Sequence, residues 1–271
     1  MKGMRQILVA GFLLLAGFSS EAQKKKRLFY GMYAQWGYNT EWYTRSNIHI
    51  KMSNGSDFTL HKARAVDKPD MDAIIKEPGD ISIPQYNYRF GFYINPQRTK
   101  SIEINFDHAK YVVYDGQTIH VTGTIEGKPV NGDSIMNPYT FMHLEHTDGA
   151  NWLHIMYVQQ KNIKKKSKDQ AQPLLNFIWK AGAGINIPRT DFTWKGDRMN
   201  NDFHVAGYNI SVESGLRFYP FGHFFIEGTA KTGYVRYINA LANSTALKGN
   251  RATHGFGYLE LIGLIGYDIK F

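Results

Sequence analysis

The stretch at 255–271 (GFGYLELIGLIGYDIKF) sets apolar Leu259, Leu261, Ile265, Tyr267, Ile269 and Phe271 against Glu260, Asp268 and Lys270. Successive side chains of a strand point to opposite faces, so a period of two builds one greasy face and one polar face. The run is long enough to cross a bilayer, for which a tilted strand needs about 9–11 residues. A soluble sandwich strand seldom carries this pattern over such a length and ends it on an aromatic.

Residues 1–22 follow a different logic. Lys2 and Arg5 precede an uncharged run from Gln6 to Ser20, rich in Leu, Val, Ala and Phe, and Ser20-Glu21-Ala22 forms a small-x-small cleavage site. This is the layout of an export signal, and its apolar run is shorter than the ~20 residues of a membrane-anchoring helix. We therefore expect a cleaved signal peptide at 1–22 and a single domain at 23–271. The chain has no cysteine, which excludes a lipid-anchored lipoprotein, a disulfide framework and thiol chemistry.

The remaining composition suits a membrane protein only if alternate residues face lipid. Mean hydropathy is −0.39, yet aromatics make up 14% of the chain, with 17 Tyr, 17 Phe and 26 Gly. Strands that cross a membrane hide in such averages, and Tyr and Trp collect at the two interfaces. The net charge of +9 does not imply nucleic acid: the basic runs at 24–27 and 161–168 have no aromatic platform or nucleic-acid motif around them. Neither a nucleic-acid partner nor a cofactor is expected.

Other segments repeat the alternation. Tyr208, Ile210, Val212, Leu216 and Phe218 oppose Asn209, Ser211, Glu213 and Arg217; Phe224, Ile226, Ala230 and Tyr234 oppose Glu227, Thr229 and Lys231. Phe177, Trp179 and Ile185 alternate with Asn176 and Lys180, and Tyr86, Tyr88, Phe90 and Phe92 with Asn87, Arg89 and Gly91. The closing strand with its terminal aromatic resembles that of bacterial outer-membrane β-barrels. Together with Gln23 after the cleavage site and the aromatic-rich strands, the whole mature chain resembles the small outer-membrane barrels of Bacteroidota. The resemblance implies location in the outer membrane, contact with its lipid and lipopolysaccharide, and engagement of the barrel-assembly machinery through Phe271.

The predicted fold is therefore all-β: a single antiparallel up-and-down transmembrane barrel. Short turns at 95–97 and 219–222 read as periplasmic, and the long polar stretches at 115–138, 188–202 and 239–254 as extracellular. Upward strands are expected near 28–40, 100–113, 173–187 and 223–237, downward ones near 83–95, 139–160, 203–219 and 255–271. A further hairpin, 48–52 and 58–65 around Ser53-Asn54-Gly55, either stands above the membrane or adds two spanning strands. The count is eight to ten, with ten slightly favoured because the Asn-Gly turn is as short as the periplasmic ones.

Inward positions include Arg89, Glu103, Asp107, Lys180, Glu213, Arg217, Glu227, Lys231, Glu260 and Asp268. Mixed signs at this density predict ion pairs filling a lumen too narrow for diffusion. The segment at 101–113 continues this pattern only to Asp107, after which His108 and Lys110 would point at lipid. Met142 and Leu144 are outward at even positions, Leu153, Ile155 and Tyr157 at odd ones. A β-bulge at 146–149 would reverse the phase and turn His146 or Asp148 toward Asp107. Antiparallel pairing would then gather Asp107, His108 and Lys110 near His143, Glu145, His146 and Asp148.

Asp107, His108, His146 and Asp148 are the catalytic candidates, since a carboxylate-bonded imidazole can act as a general base on water. The residue types are similar to the Asp-His couples of omptin proteases. The His-x-Ser arrangement of lipid A deacylases is missing, with Thr147 the only substitute. No metal-ligand spacing is present. The expected role is a non-catalytic outer-membrane component presenting long loops to a ligand or partner. The alternatives are a hydrolase of lipid A, phospholipid or peptide, and a narrow channel; the oligomeric state is left open.

Overall fold

The computed structural model describes residues 27–69, 85–166 and 173–269. Residues 1–22, read above as a signal peptide, Gln23 and Phe271 lie outside them. β1 (Met32–Tyr43) leads into a connection holding β2 (Ser46–Lys51), β3 (Asp57–Ala63) and β4 (Ala65–Val66). β5 (Tyr86–Tyr93) and β6 (Lys100–Asp107) form a hairpin, followed by β7 (Tyr111–Val113), β8 (Thr118–Ile125), β9 (Lys128–Ile135) and β10 (Met142–His146). β11 (Trp152–Lys165) and β12 (Pro173–Asn186) precede β13 (Asp191–Trp194) and β14 (Asp197–Asn200). β15 (Gly207–Phe221), β16 (Phe224–Leu241) and β17 (Arg251–Ile269) complete the chain.

Eight strands close a ring in the order β1-β5-β6-β11-β12-β15-β16-β17, every neighbour pair antiparallel, with β17 returning to β1. The β1–β17 seam runs from Met32 opposite Ile269 to Tyr43 opposite Tyr258. That full-length pairing leaves no place for two more strands, so eight is the realised count and the preference for ten is corrected. The hairpin β2–β3 instead adds to the far end of β17, where Lys51 faces Arg251 and His49 faces Thr253.

The barrel faces follow the two-residue period. Ile210, Leu261, Ile265, Phe90 and Ile155 are exposed on the outer wall, forming an apolar belt. All ten charged residues assigned inward are buried, and cross-strand register sets four of them in a row that Glu41 extends. Lys180 lies opposite Glu213, Glu213 opposite Lys231, Lys231 opposite Glu260, and Glu260 opposite Glu41. Within this row of five, opposed charges on neighbouring strands are favourable, and like charges need help. The help comes from Asn39, whose Nδ2 donates to Glu41 at 2.8 Å and to Glu260 at 2.7 Å.

Further links tie the row along the barrel axis. Arg89 donates to Glu213 at 2.7 and 3.0 Å and reaches Asp107 at 3.4 Å, while Lys180 sits 2.9 Å from Glu103 and 2.8 Å from Glu227. Lys231 bonds Asp107, and Arg217 chelates Glu227 at 2.6 and 2.7 Å. Toward the end carrying the short turns, Arg217 lies over the rings of Tyr33 and Phe225, which form an aromatic floor with Tyr93 and Tyr219. Gly91 makes room for that floor: a Cβ there would lie 2.0 Å from Cζ of Tyr33, whose hydroxyl donates to Glu103 at 2.6 Å.

The strands do not stop at the barrel. β16 and β17 are longer than a bilayer requires, and β17 carries β2, β3, β8 and β9 as a continuation of the barrel sheet. A second sheet, β14-β13-β10-β7-β4, packs against this extension. Between them lies an apolar core of Ile48, Ile50, Phe58, Leu60, Val121, Met142, Leu144, Phe192 and Trp194, joined to the barrel mouth through Trp152, Tyr237 and Phe256. The long connections thus form a folded module.

Removing one partner of a buried ion pair strands the other, at a cost of about 3–5 kcal/mol. Arg89→Met should therefore destabilise the barrel by roughly that amount in urea unfolding, and adding Glu213→Gln should restore part of it. A loss under about 1 kcal/mol would mean the lumen is hydrated enough to screen the network.

Candidate functional site at the barrel mouth

The segment from 139 to 160 is two strands in two sheets, which corrects the single bulged strand inferred from phase. Leu144 and His146 on β10 face the apolar core, and Trp152 and His154 on β11 face the lumen. Both sets are even-numbered. The conflict arose from assigning Met142 and Leu144 to lipid. The break falls at 147–151, where Gly149 (φ +125°) and Asn151 (φ +30°) adopt left-handed backbone that glycine tolerates best.

This break separates the four candidates. Asp107 stays in the lumen with Lys231, Arg89, Asn87 (2.6 Å) and His154 (3.6 Å). β6 ends there, but the amide of His108 still bonds the Tyr86 carbonyl at 2.9 Å and the alternation continues, placing His108 on the outer side at the rim of the wall. Its ring stacks on Tyr86 with centroids 4.6 Å apart, and its Nδ1 meets Asn151 at 2.9 Å. His146 is fully buried in the core, its Nε2 3.2 Å from Nε2 of His254 and its Nδ1 3.0 Å from Thr190. Asp148 is exposed, bonded to Arg189 at 3.2 Å and to Asn200. Among the described contacts, none of the four hydrogen-bonds another.

Backbone pairing does bring β10 beside β7, with His146 opposite Tyr111. The result is an aromatic seal. Tyr111, Tyr237, Phe256 and His254 stack around His146, and Trp152 donates to the Tyr237 hydroxyl at 3.2 Å. Burial drives the His146 imidazole down to about 3, since a dry apolar surrounding disfavours the charged ring. It is a neutral core histidine at physiological pH.

The histidine of this region held between two carboxylates is one the spacing did not single out as paired. His143 lies between Asp115, 2.9 Å from its Nδ1, and Glu145, 3.2 Å from its Nε2. Burial opposes its protonation, but the hydrogen bonds to Glu145 and Asp115 outweigh it and raise the imidazole above its ordinary value. Glu145 is likewise disfavoured as an anion by burial, yet bonds from His143 and Thr147 hold it at about 2. Thr147 Oγ1 donates to Glu145 at 2.5 Å, so this hydroxyl is committed. Chemically the row is an ionic clamp across β10 and the 115 turn. Asp115 is 28 residues before His143 in sequence, and no local motif announces their meeting.

Among the described residues, no three metal-ligating side chains converge. At the opposite end of the barrel a cleft of about 350 Å³ is lined by Tyr93, Arg98, Gln160, Asn176, Tyr219 and Asp268. Arg98 sits 3.4 Å from Asp268 there.

No family profile and no curated protein sequence matches this chain. Similar solved structures are outer-membrane β-barrels. Neisserial surface protein A has 10% identity and a TM-score of 0.37 over 89% of this chain and 97% of its own. The outer membrane protein OprG of Pseudomonas aeruginosa has 12% identity and 0.42 over 90% and 98%. The outer membrane protease OmpT of Escherichia coli has 9% identity and 0.31 over 93% and 99%.

The module should respond to acid through His146. A histidine whose folded pKa is depressed contributes stability above its unfolded value, near 6.5, that is lost as pH falls toward about 3. His143, raised when folded, works the other way: its contribution is complete below about 6.5 and lost as pH rises through its folded value. Between pH 6.5 and 4 the loops should become proteolysis-sensitive while the barrel persists, and His146→Phe should blunt that change. Equal acid sensitivity in the variant would remove His146 from the account.

Proposed function

We propose that this chain is an exported outer-membrane protein whose barrel is a closed anchor and whose folded extracellular module, built from the long connections, is the working part, presented to a ligand, a partner or lipopolysaccharide. The reading is non-catalytic. The observation that carries it is the division of the interior: a lumen packed with buried ion pairs, capped at the mouth by the Tyr111, Tyr237 and Phe256 cluster. Above the seal, two sheets share an apolar core. An apolar outer belt supports placement in a bilayer, since exposed greasy patches of that extent need a non-aqueous neighbour. Export through residues 1–22, insertion guided by Phe271 and a Bacteroidota origin belong to the same proposal.

Cysteine labelling tests location and orientation together, because the natural chain has no cysteine. Lys128→Cys in the module should react with a membrane-impermeant maleimide on intact cells. Gln97→Cys, in the turn at the other end, should react only after the outer membrane is opened. Equal labelling of the two on intact cells, or recovery of folded protein without detergent, would overturn the proposal.

A further inference from the structure

The outer face of the extracellular sheet holds an arrangement outside any role given so far. Along β2, β3 and β8 the residues Ile48, Ile50, Phe58, Leu60, Ile119 and Val121 enter the apolar core. Their alternates therefore share the opposite, solvent-facing side. His61 on β3 and His120 on β8 are direct cross-strand partners there, their ring centroids 5.7 Å apart. Two imidazoles held side by side on a rigid ladder form a chelating pair, because the second binds as if at high local concentration.

A third side chain completes the arrangement. Asp133 on β9 lies opposite His120 and bonds its Nδ1 at 2.9 Å. A carboxylate accepting from Nδ1–H fixes the tautomer with the lone pair on Nε2, the pattern that orients and strengthens metal-ligating histidines. His61 is oriented through its Nε2, 2.7 Å from Thr122 Oγ1; when Nε2–H donates to that hydroxyl, the lone pair is on Nδ1. Imidazole nitrogen suits borderline divalent ions such as Cu²⁺ and Zn²⁺, whereas Ca²⁺ and Mg²⁺ need oxygen cages.

We propose that His61 and His120 bind a divalent late transition-metal ion, with Asp133 positioning His120. Two protein nitrogens leave solvent in the remaining positions, so the site is open and exchangeable, unlike the closed four-ligand sites that hold a fold together. Sequence spacing concealed it, since only the β3–β8 register joins the two rings. A neighbouring pair supplies an internal control: His49 bonds Asp57 at 2.7 Å on the same face, but is a lone imidazole with Lys51 3.9 Å from its carboxylate partner.

The test is Cu²⁺ titration of the full chain without a histidine tag, in detergent, followed by electron paramagnetic resonance of the loaded protein. One tight equivalent should bind with hyperfine structure from two nitrogens. His61→Gln and His120→Gln should each weaken binding about tenfold or more, and Asp133→Asn by about tenfold. His49→Gln should leave binding within about twofold, the error of such a titration. These side chains lie outside the core, and should one variant not fold, the other carries the test. Wild-type affinity in both His61→Gln and His120→Gln, equal weakening by His49→Gln, or a spectrum from a single nitrogen would overturn the site.

Discussion

The structure depends on charge matching across a ring of eight strands. An eight-stranded closure leaves a lumen just wide enough for side chains, and here those side chains are ionic. Charges removed from water repay that cost only when geometry and hydrogen bonding are nearly complete. The row Lys180, Glu213, Lys231, Glu260 supplies the alternating charges by sitting in register on four consecutive strands. A slip of one residue in any of them would turn its charges onto the outer wall and its Ile, Leu and Val side chains into the lumen. The network therefore does more for register than for net stability, and register is what an up-and-down barrel most needs specified.

Placing the polar core in the barrel puts the apolar core elsewhere. In a soluble sandwich the greasy residues meet inside; here the outer wall is greasy, and hydrophobic packing is concentrated above the ring. β17 links the two regimes. Its stretch from Tyr258 to Ile269 pairs with β1 around the lumen, and its residues from Arg251 to Thr253 carry β2 into the module. Trp152, Tyr237 and Phe256 occupy the boundary, where a dry aromatic layer separates the ion pairs from the loops. The module is thus rooted on a strand continuous with the barrel wall.

How much of this was legible in sequence depended on period. Ile210 and Leu261 outward, and Arg89, Glu213 and Lys231 inward, followed from alternation alone, because every residue in a barrel strand obeys the same two-residue rule. The rule fails where strands belong to another sheet: Met142 and Leu144 are apolar for the module's core, and alternation cannot distinguish that from lipid. The Asn-Gly turn at Asn54 and Gly55 was read correctly as a hairpin, but a tight turn says nothing of which end of a barrel it occupies. Asp107, His108, His146 and Asp148 are close in sequence pattern and divided in space by the left-handed backbone at 149–151. His143 with Asp115, and His61 with His120, are joined only by tertiary register, which a single sequence does not display.

The central claim is that the barrel is a filled anchor and not a conduit. Conductance across planar bilayers tests it most directly, using the refolded full chain at a protein density where insertion is verified by heat-modifiable migration. The account predicts no stable current step above the bare-bilayer baseline in either polarity, because ion-paired side chains fill the lumen and an aromatic cluster caps it. Reproducible discrete openings that scale with inserted protein would contradict it, and would reassign Arg89, Lys180 and Lys231 from packing to the lining of a pore.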